Sequence, residues 1–270
     1  MVKKVLITGG AGFVGQHTFE RLGGPGYAIS GVDKVWHDEW GIDLAEEGGA
    51  ERAFDFFKPD IVIHLAATCS TPASIERPME TFRDTVLTAV NVLEACRVDQ
   101  TPILITSSVK ARDGMTPYGA AKRMVEIWAQ EYADAYDIPV IINRPGTIYG
   151  PGQEGSAESG WIAWFLKAKE EGIRVTVNGD GKQIRDLLHV DDYVDLMAYQ
   201  LNDFDRFTGD IWDVGGGVDN TTTVEKMVEY LGLAHDHGPP RHGDSPVYIG
   251  ENRVPGWQPR IRWKESGFFG

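Results

Sequence analysis

Residues 5–15 read VLITGGAGFVG. The opening residues form an apolar run, which is typical of a buried parallel strand. The glycines that follow, Gly9, Gly12 and Gly15, have the spacing Gly-x-x-Gly-x-x-Gly and open a helix predicted over 13–22. Unpaired N–H groups and the helix dipole at such a helix N-terminus favour the phosphates of a dinucleotide. The stretch therefore predicts a dinucleotide-binding α/β fold.

The remaining chain alternates between apolar runs and helical patterns as far as about Gly150. This alternation predicts an α/β protein with a Rossmann-type, doubly wound parallel sheet. We expect residues 1–150 to form the core, to which 186–217 return, and residues 151–185 and 218–270 to form a small C-terminal substrate-binding lobe. Strands are predicted at 27–33, 60–65, 102–106, 138–142, 173–177 and 210–215, and helices at 49–58, 78–98, 117–136, 160–170, 191–201 and 223–231.

Asp33 lies 18 residues after Gly15, at the end of the second predicted strand. A carboxylate at this place accepts hydrogen bonds from a ribose 2′-hydroxyl and repels a 2′-phosphate, so the sequence predicts NAD rather than NADP. Lys34 is the one neighbour that weakens this preference. Asp43 and Leu44 are candidates for the adenine edge, and a solvated loop acid is the alternative interpretation of Asp43.

Tyr118 and Lys122 lie four residues apart in the helix predicted over 117–136, so their side chains share one face. A tyrosine that acts as a base near pH 7 must have its pKa lowered by about 3, or about 4 kcal/mol. A lysine ammonium and a nicotinamide cation can supply much of this stabilisation. Ser107 and Ser108 follow the predicted strand over 102–106, where a hydroxyl can share the substrate's proton. Together these residues predict redox chemistry on a bound dinucleotide.

Composition excludes some classes of protein. The 270 residues carry a net charge of −14, which opposes nucleic-acid binding because that requires clustered Lys and Arg. The apolar runs are too short to span a membrane, and Met1 leads directly into a strand without a signal peptide, so we expect a cytoplasmic protein.

The histidines and acid at 235–237 and 242 lie in a Pro/Gly-rich tail and are expected to be solvated, so no metal is predicted. Four further residues are expected to cap helices or brace the core: His64, His189, Asp191 and Asp192.

With these motifs in order, the chain resembles an extended short-chain dehydrogenase/reductase of the NAD-dependent sugar-nucleotide epimerase/dehydratase family. The matching motifs cover nearly the whole chain. They are Thr8 to Gly15, Asp33, His64 to Ala67, Thr106 to Ser108, Tyr118 with Lys122, Arg144-Pro145, Tyr149 to Pro151, Arg185-Asp186 and His189 to Asp192.

The resemblance implies a role for each matching residue. Ser108, Tyr118 and Lys122 would be catalytic, and Arg185 and Arg241 would bind the diphosphate of a nucleotide sugar, since an arginine fork donates two parallel hydrogen bonds to phosphate oxygens. Ser108 and Thr147 would also contact the sugar. NAD would be held by Gly9, Gly12, Phe13, Val14, Asp33, Asp43, Leu44, Leu65, Ala66, Ala67, Tyr118 and Lys122.

The second half of the chain narrows the resemblance to the CDP-paratose 2-epimerase branch, through 160–165, 179–186 and 214–220. This branch oxidises a CDP-hexose at C2 and reduces it again from the opposite face. The alternatives are a UDP-hexose 4-epimerase, a nucleotide-sugar dehydratase or reductase, and a non-catalytic NAD-sensing protein.

The chain departs from the family pattern at three places. The loop over 109–117 is shorter than in the family, Thr147 replaces a frequent Asn, and the usual last helix is missing. The helices over 78–98 and 117–136 resemble a dimer-forming pair, so we expect a homodimer.

Overall fold

The computed structural model of the protein describes residues 2–24 and 26–269. Apolar runs that end in glycine, serine or a charged residue form most of its strands, as the sequence pattern predicts. In chain order the strands are β1 (Lys3–Thr8), β2 (Tyr27–Val32), β3 (Ile61–His64), β4 (Ile103–Thr106), β5 (Val140–Pro145), β6 (Thr147–Tyr149), β7 (Val175–Asn178), β8 (Ile184–His189), β9 (Ile211–Val214), β10 (Thr221–Thr223), β11 (His235–Gly238) and β12 (Val247–Tyr248).

The helices alternate with these strands and begin at recognisable caps. Side-chain oxygens of Ser70, Thr116 and Thr223 accept hydrogen bonds from the first turns of three of them. In chain order the helices are α1 (Phe13–Leu22), α2 (Gly49–Phe57), α3 (Thr71–Glu76), α4 (Pro78–Thr81), α5 (Thr88–Asp99), α6 (Pro117–Tyr136), α7 (Trp161–Glu171), α8 (Val190–Asn202) and α9 (Val224–Leu231). None of the helices described is both long and apolar enough to cross a bilayer.

A six-stranded parallel sheet with the order β2-β1-β3-β4-β5-β9 forms the centre of the protein. One apolar cluster packs Leu6, Val62 and Ile105 against residues of α2, α5 and α6. A second cluster packs the alternate strand residues, such as Ile7 and Leu104, against residues of α8. Helices therefore cover both faces of the sheet, and the predicted doubly wound α/β fold is confirmed.

Segments beyond β5 also form two smaller sheets. β8 pairs with β6, β10 and β12, while β7 and β11 form a separate parallel ribbon. A third apolar cluster, including Phe165, Val177 and Met227, holds α7, β7 and α9 together. β9 joins the central sheet, as expected, whereas β8 pairs with the small sheet; the boundaries of the two units stay a prediction.

Several element boundaries differ from the sequence prediction. The helix predicted over 78–98 contains a π-helical segment, Phe82–Leu87, between α4 and α5. The strand predicted over 138–142 is shifted to β5, and residues 138–139 lie outside it. The sequence did not predict α3, β6, β8, β10, β11 or β12, because each is short or polar. Buried polar residues fix the irregular tail instead: Asp192 Oδ2 accepts hydrogen bonds from the backbone of Arg260 (3.0 Å) and Ile261 (2.8 Å).

Candidate active site

The glycine loop turns tightly between β1 and α1. Gly9 has φ +75°, a left-handed conformation that favours glycine, and a Cβ there would lie 2.7 Å from Ala66 N. A Cβ on Gly15 would lie 2.5 Å from Gly9 O. Gly12 is the N-cap of α1 and has no side chain that could bond the first-turn N–H groups. The loop therefore presents backbone donors at a helix N-terminus, which is a site for an anion.

Asp33, just after β2, lies beside this loop. Its carboxylate oxygens accept hydrogen bonds from Ala11 N (3.0 Å) and Val35 N (3.1 Å). The ammonium of Lys34 points elsewhere, since its Nζ lies 2.5 Å from Asp84 Oδ2. Asp43 pairs with Arg83 Nη2 at 2.7 Å, and Arg83 holds the pKa of Asp43 below its usual value against the effect of burial, which acts in the opposite direction.

The end of β3 approaches the glycine loop from the other side. Leu65 N donates to Thr8 O (3.1 Å), and His64 Nδ1 bonds the Thr8 hydroxyl (2.8 Å). Burial lowers the pKa of His64 to about 3, so this imidazole is neutral. This structural role agrees with the one expected for His64. Leu65, Ala66 and Ala67 follow directly, whereas Leu44 is buried in the core.

Ser108, Tyr118 and Lys122 come together at the end of β4. Thr116 caps α6 by accepting a hydrogen bond from Gly119 N (3.1 Å), so Tyr118 lies in the first turn and Lys122 one turn later. The Ser108 hydroxyl lies near the Tyr118 side chain, and both residues line one cavity. Lys122 is buried and its Nζ donates to Thr106 O at 2.8 Å. These three residues, which the sequence separates by up to 14 positions, therefore lie in one cluster.

The protonation of this cluster follows from its burial. Burial raises the pKa of Tyr118 to about 12, although the Ser108 hydrogen bond acts in the opposite direction. Burial also lowers the pKa of Lys122 to about 8. At neutral pH the protein alone therefore holds a neutral tyrosine beside a lysine ammonium, and further positive charge is needed before the phenol can act as a base.

A buried network behind the cluster was missed in the sequence. Glu126 is 2% exposed and accepts hydrogen bonds from Ser107 Oγ (2.5 Å), Arg144 Nε (2.7 Å) and Arg144 Nη2 (2.6 Å). Glu126 follows Lys122 by one helical turn, so it ties α6 to the ends of β4 and β5. The signal was available, since residues 118, 122 and 126 share one helix face.

Ser108 and Tyr118 line a cavity of about 440 Å³. Thr147, Arg185 and Arg241 also line it, as the resemblance implied for substrate-binding residues. Arg185 is buried, donates to Asp244 and lies over the Tyr248 ring at 4.7 Å. Arg241 is exposed and donates to Ala157 O at 3.0 Å.

Lys110 is a further cavity residue that the sequence interpretation did not place there. Its Nζ donates to Thr71 Oγ1 at 2.7 Å, and burial lowers its pKa to about 8. The shortened loop makes this possible: a Cβ on Gly119 would lie 2.6 Å from Lys110 O, so only glycine allows the loop to pack this closely on α6. Tyr248 and Asp244, from the irregular tail, line the same cavity.

The other His and Asp side chains that could act as acids, bases or metal ligands fall into two groups. His189 caps α8 by accepting a hydrogen bond from Asp191 N (3.2 Å), and Asp192 braces the tail, as expected. The histidines of the tail do not stay together. His242 lines the cavity, while His235 and His237 lie on β11 beside Glu225. His235 is only partly exposed, so the expectation of solvated tail histidines is wrong for this residue.

Comparison with known proteins agrees with this geometry. Residues 5–215 match the NAD dependent epimerase/dehydratase family. The chain is 28% identical to a UDP-glucose 4-epimerase of Mycolicibacterium smegmatis and 23% identical to a CDP-paratose 2-epimerase of Salmonella typhi. Each similarity covers 97% of this chain and 96% of the relative.

A solved structure extends the similarity to three dimensions. The Thermus thermophilus UDP-glucose 4-epimerase, in complex with NAD, superimposes with a TM-score of 0.84 at 28% identity, over 97% of this chain and 96% of that one. The family match spans well over half of the chain, and the cofactor of the family is NAD. The chain therefore belongs to the NAD dependent epimerase/dehydratase family and is an enzyme of the extended short-chain dehydrogenase/reductase type.

Proposed function

We propose that the protein is an epimerase of nucleotide-linked hexoses, which oxidises one ring hydroxyl to a keto sugar and reduces it again on the opposite face. One observation carries this proposal. Ser108 and Tyr118, backed by Lys122, face a cavity that Arg185 and Arg241 also line. This shared lining supports the proposal, because a nucleotide sugar needs acid–base groups and diphosphate-binding groups at one site.

The residues at the carboxyl ends of β1, β2 and β3 fit NAD. The close contact of Gly9 with Ala66 leaves the α1 N-terminus open to a pyrophosphate, and Asp33 lies beside it for a ribose hydroxyl. Phe13, Val14, Leu65, Ala67, Asp43 and Leu44 stay proposals for the same site. When bound, NAD accepts the hydride from the sugar and returns it.

The protein's own groups would move the proton. Tyr118 Oη takes the proton of the sugar hydroxyl, and Ser108 orients that hydroxyl and shares the proton. Lys122, a cation below pH 8, stabilises the phenolate and holds the nicotinamide ribose. When the sugar is reduced, Tyr118 returns the proton to its oxygen. No net redox change results, so the cofactor is the same at the end as at the start.

For the sugar we propose C2 of a CDP-hexose, with C4 of a UDP-hexose as the second candidate. The resemblance of 160–165 and 179–186 supports the first. The second is supported by the higher identity, 28% against 23%, to the UDP-glucose 4-epimerase among the relatives. Both proposals place the sugar near Thr147 and the diphosphate near Arg185 and Arg241.

The remaining functions fit the site less well. A 4,6-dehydratase needs acidic side chains directly after the strand-end serine. This chain has Val109 there, which is apolar and buried, and Lys110, whose side chain is a cation rather than an acid. An NADPH-dependent reductase needs a cation for a 2′-phosphate, and Lys34 is engaged by Asp84. A non-catalytic NAD sensor does not require the clustered Ser108, Tyr118 and Lys122.

We also propose a homodimer through α4, α5 and α6. Large apolar side chains are exposed along these helices, including Met79 at 76% and Trp128 at 45%. Exposed apolar area on adjacent helices is typical of a protein interface. Light scattering should give twice the chain mass of 29.8 kDa; a monomer mass at micromolar concentration would refute the dimer.

The function is tested by incubating the protein with CDP- and UDP-hexoses, without added cofactor, and following anomeric and ring protons by NMR. We expect an epimer to form with retained NAD, and the inverted carbon identifies C2 or C4. Loss of water from the sugar would indicate the dehydratase instead. Bound NAD with no conversion of any hexose in the panel would favour the sensor.

A further inference from the structure

Three side chains that can bind a metal meet where β11 passes the first turn of α9. His235 and His237 are two apart on the strand, so both project from the same face. Glu225 lies in the first turn of α9. The ligand atoms of all three lie within 4.8 Å of one another. Nε2 of His235 is 3.2 Å from Glu225 Oε1, and Nε2 of His237 is 3.5 Å from Glu225 Oε2.

The backbone fixes how the two imidazoles present themselves. Nδ1 of His235 lies 3.1 Å from Leu233 O, and Nδ1 of His237 lies 2.8 Å from Gly179 O. A carbonyl oxygen only accepts, so each Nδ1 carries a proton and donates it. In the neutral ring Nε2 then holds a lone pair. In the neutral tautomers both lone pairs face the carboxylate, so a cation, either a metal ion or a proton, is needed between nitrogen and oxygen.

Glu225 supplies a second, independent observation. Its Oε2 is buried and makes no hydrogen bond in the part of the chain that the structure describes, although His237 Nε2 lies 3.5 Å away. A buried carboxylate oxygen without a hydrogen bond is costly and calls for an explanation. The backbone of Glu225 is fixed at the start of α9, because Glu225 N donates to Gly181 O at 2.9 Å.

We propose that Glu225, His235 and His237 form a Zn²⁺ site, with water as the fourth ligand. Zn²⁺ binds imidazole nitrogen and carboxylate oxygen at about 2.0–2.1 Å, so tetrahedral ligand atoms lie about 3.3 Å apart. The 3.2 and 3.5 Å separations are close to that spacing, and they end on different oxygens of Glu225. The Nδ1–carbonyl hydrogen bonds are the outer contacts that orient metal-binding histidines. Two nitrogens also favour zinc over Mg²⁺ or Ca²⁺, which prefer oxygen.

The site would be structural, because Glu225, His235 and His237 are not among the residues that line the cavity. His235 and His237 are in register with Val175 and Val177, which belong to the apolar core. Val175 and Val224, next to the cluster, do line the cavity. A metal ion would therefore join β11, α9 and the turn at Gly179 into one unit beside the cavity wall.

The other cation that satisfies this geometry is the proton. Two imidazolium rings, each paired with one oxygen of Glu225, would give the same contacts without a metal. Zn²⁺ itself distinguishes the two, because ligands of a zinc site release protons to bind the metal. The two cases are separated by direct titration with Zn²⁺ at pH 7.5.

The experiment uses the full chain, with any affinity tag removed and metals stripped by a chelator. Zn²⁺ is titrated by calorimetry into the wild type, His237→Gln and His37→Gln, an exposed histidine outside the cluster. We expect one Zn²⁺ per chain, at least tenfold weaker binding in His237→Gln, unchanged binding in His37→Gln and a Tm that rises with Zn²⁺. Mg²⁺ should not compete.

A second measurement does not depend on a variant that folds. Co²⁺ added to the wild type should give the visible absorption of a tetrahedral site, and one equivalent of Zn²⁺ should abolish it. The proposal is overturned if the wild type binds no Zn²⁺ below millimolar concentration, or if His237→Gln and His37→Gln bind it equally.

Discussion

Replacing Glu126 with Gln tests the buried network beside the cluster of Ser108, Tyr118 and Lys122. The carboxylate is 2% exposed and accepts three hydrogen bonds, two of them from the Arg144 guanidinium. Removing one partner of a buried ion pair costs about 3–5 kcal/mol. Arg144 is 20% exposed and Gln keeps one acceptor oxygen, so we expect a smaller effect than this range, a loss of about 2–3 kcal/mol of unfolding free energy.

The assay is urea unfolding followed by circular dichroism. With an m value of about 3 kcal/mol/M, the midpoint of Glu126→Gln should fall by nearly 1 M. Glu131→Gln is the matched control, since Glu131 is exposed on the same helix; its unfolding free energy should stay within about 0.5 kcal/mol of the wild type. The double variant Glu126→Gln/Arg144→Met should lose less than the sum of the single variants, because the two residues share the interaction. A midpoint of Glu126→Gln equal to that of the control would refute the reasoning.

Three further predictions concern the cofactor loop, the core and the cavity. Gly15→Ala places a Cβ 2.5 Å from Gly9 O, so NAD should bind at least tenfold more weakly in calorimetry. Gly24→Ala is the control, because a Cβ at Gly24 meets open space and should leave NAD binding unchanged. Equal NAD affinities of the two variants would contradict the loop's role. His64 binds a proton near pH 6.5 in the unfolded state but only near pH 3 in the folded state. The stability that is present above pH 6.5 is therefore lost as the pH falls, by up to about 1.4 kcal/mol per pH unit. His64→Gln should show a flatter curve of unfolding free energy against pH from 4 to 6.5. Lys110→Met removes a cavity cation and should raise KM for the nucleotide sugar several-fold with kcat less affected; an unchanged KM would exclude Lys110 from substrate binding.

The sequence predicted the parts of this protein that depend on local pattern. The apolar runs of β1, β3 and β4 and the helical patterns of α1 and α6 follow from residue type and spacing, so most of the central sheet and the helices between its strands were predictable. The cluster of Ser108, Tyr118 and Lys122 was predictable for the same reason. The four-residue spacing on α6 brings Tyr118 and Lys122 to one helix face, and Ser108 follows the end of a neighbouring strand.

What could not be predicted depends on contacts between distant segments. β6 and β12 are short strands that pair with β8, in which polar and apolar residues are mixed, so no local pattern indicates them. Lys110 reaches the cavity only because the loop packs against Gly119, and Arg185 is paired with an aspartate 59 residues away. The Tyr118 pKa also depends on burial, which raises it where the sequence argument required a lower value.

The central claim is that Tyr118 moves the sugar's proton in an epimerisation on retained NAD. The most direct measurement is the rate of epimer formation by Tyr118→Phe, followed by NMR with the hexose that the wild type converts, together with the NAD content of the variant. Tyr136→Phe, at the exposed end of the same helix, is the control. We predict that NAD stays bound and that the rate falls by about 10²–10⁴, the usual contribution of acid–base catalysis. A rate equal to that of Tyr136→Phe would contradict the account.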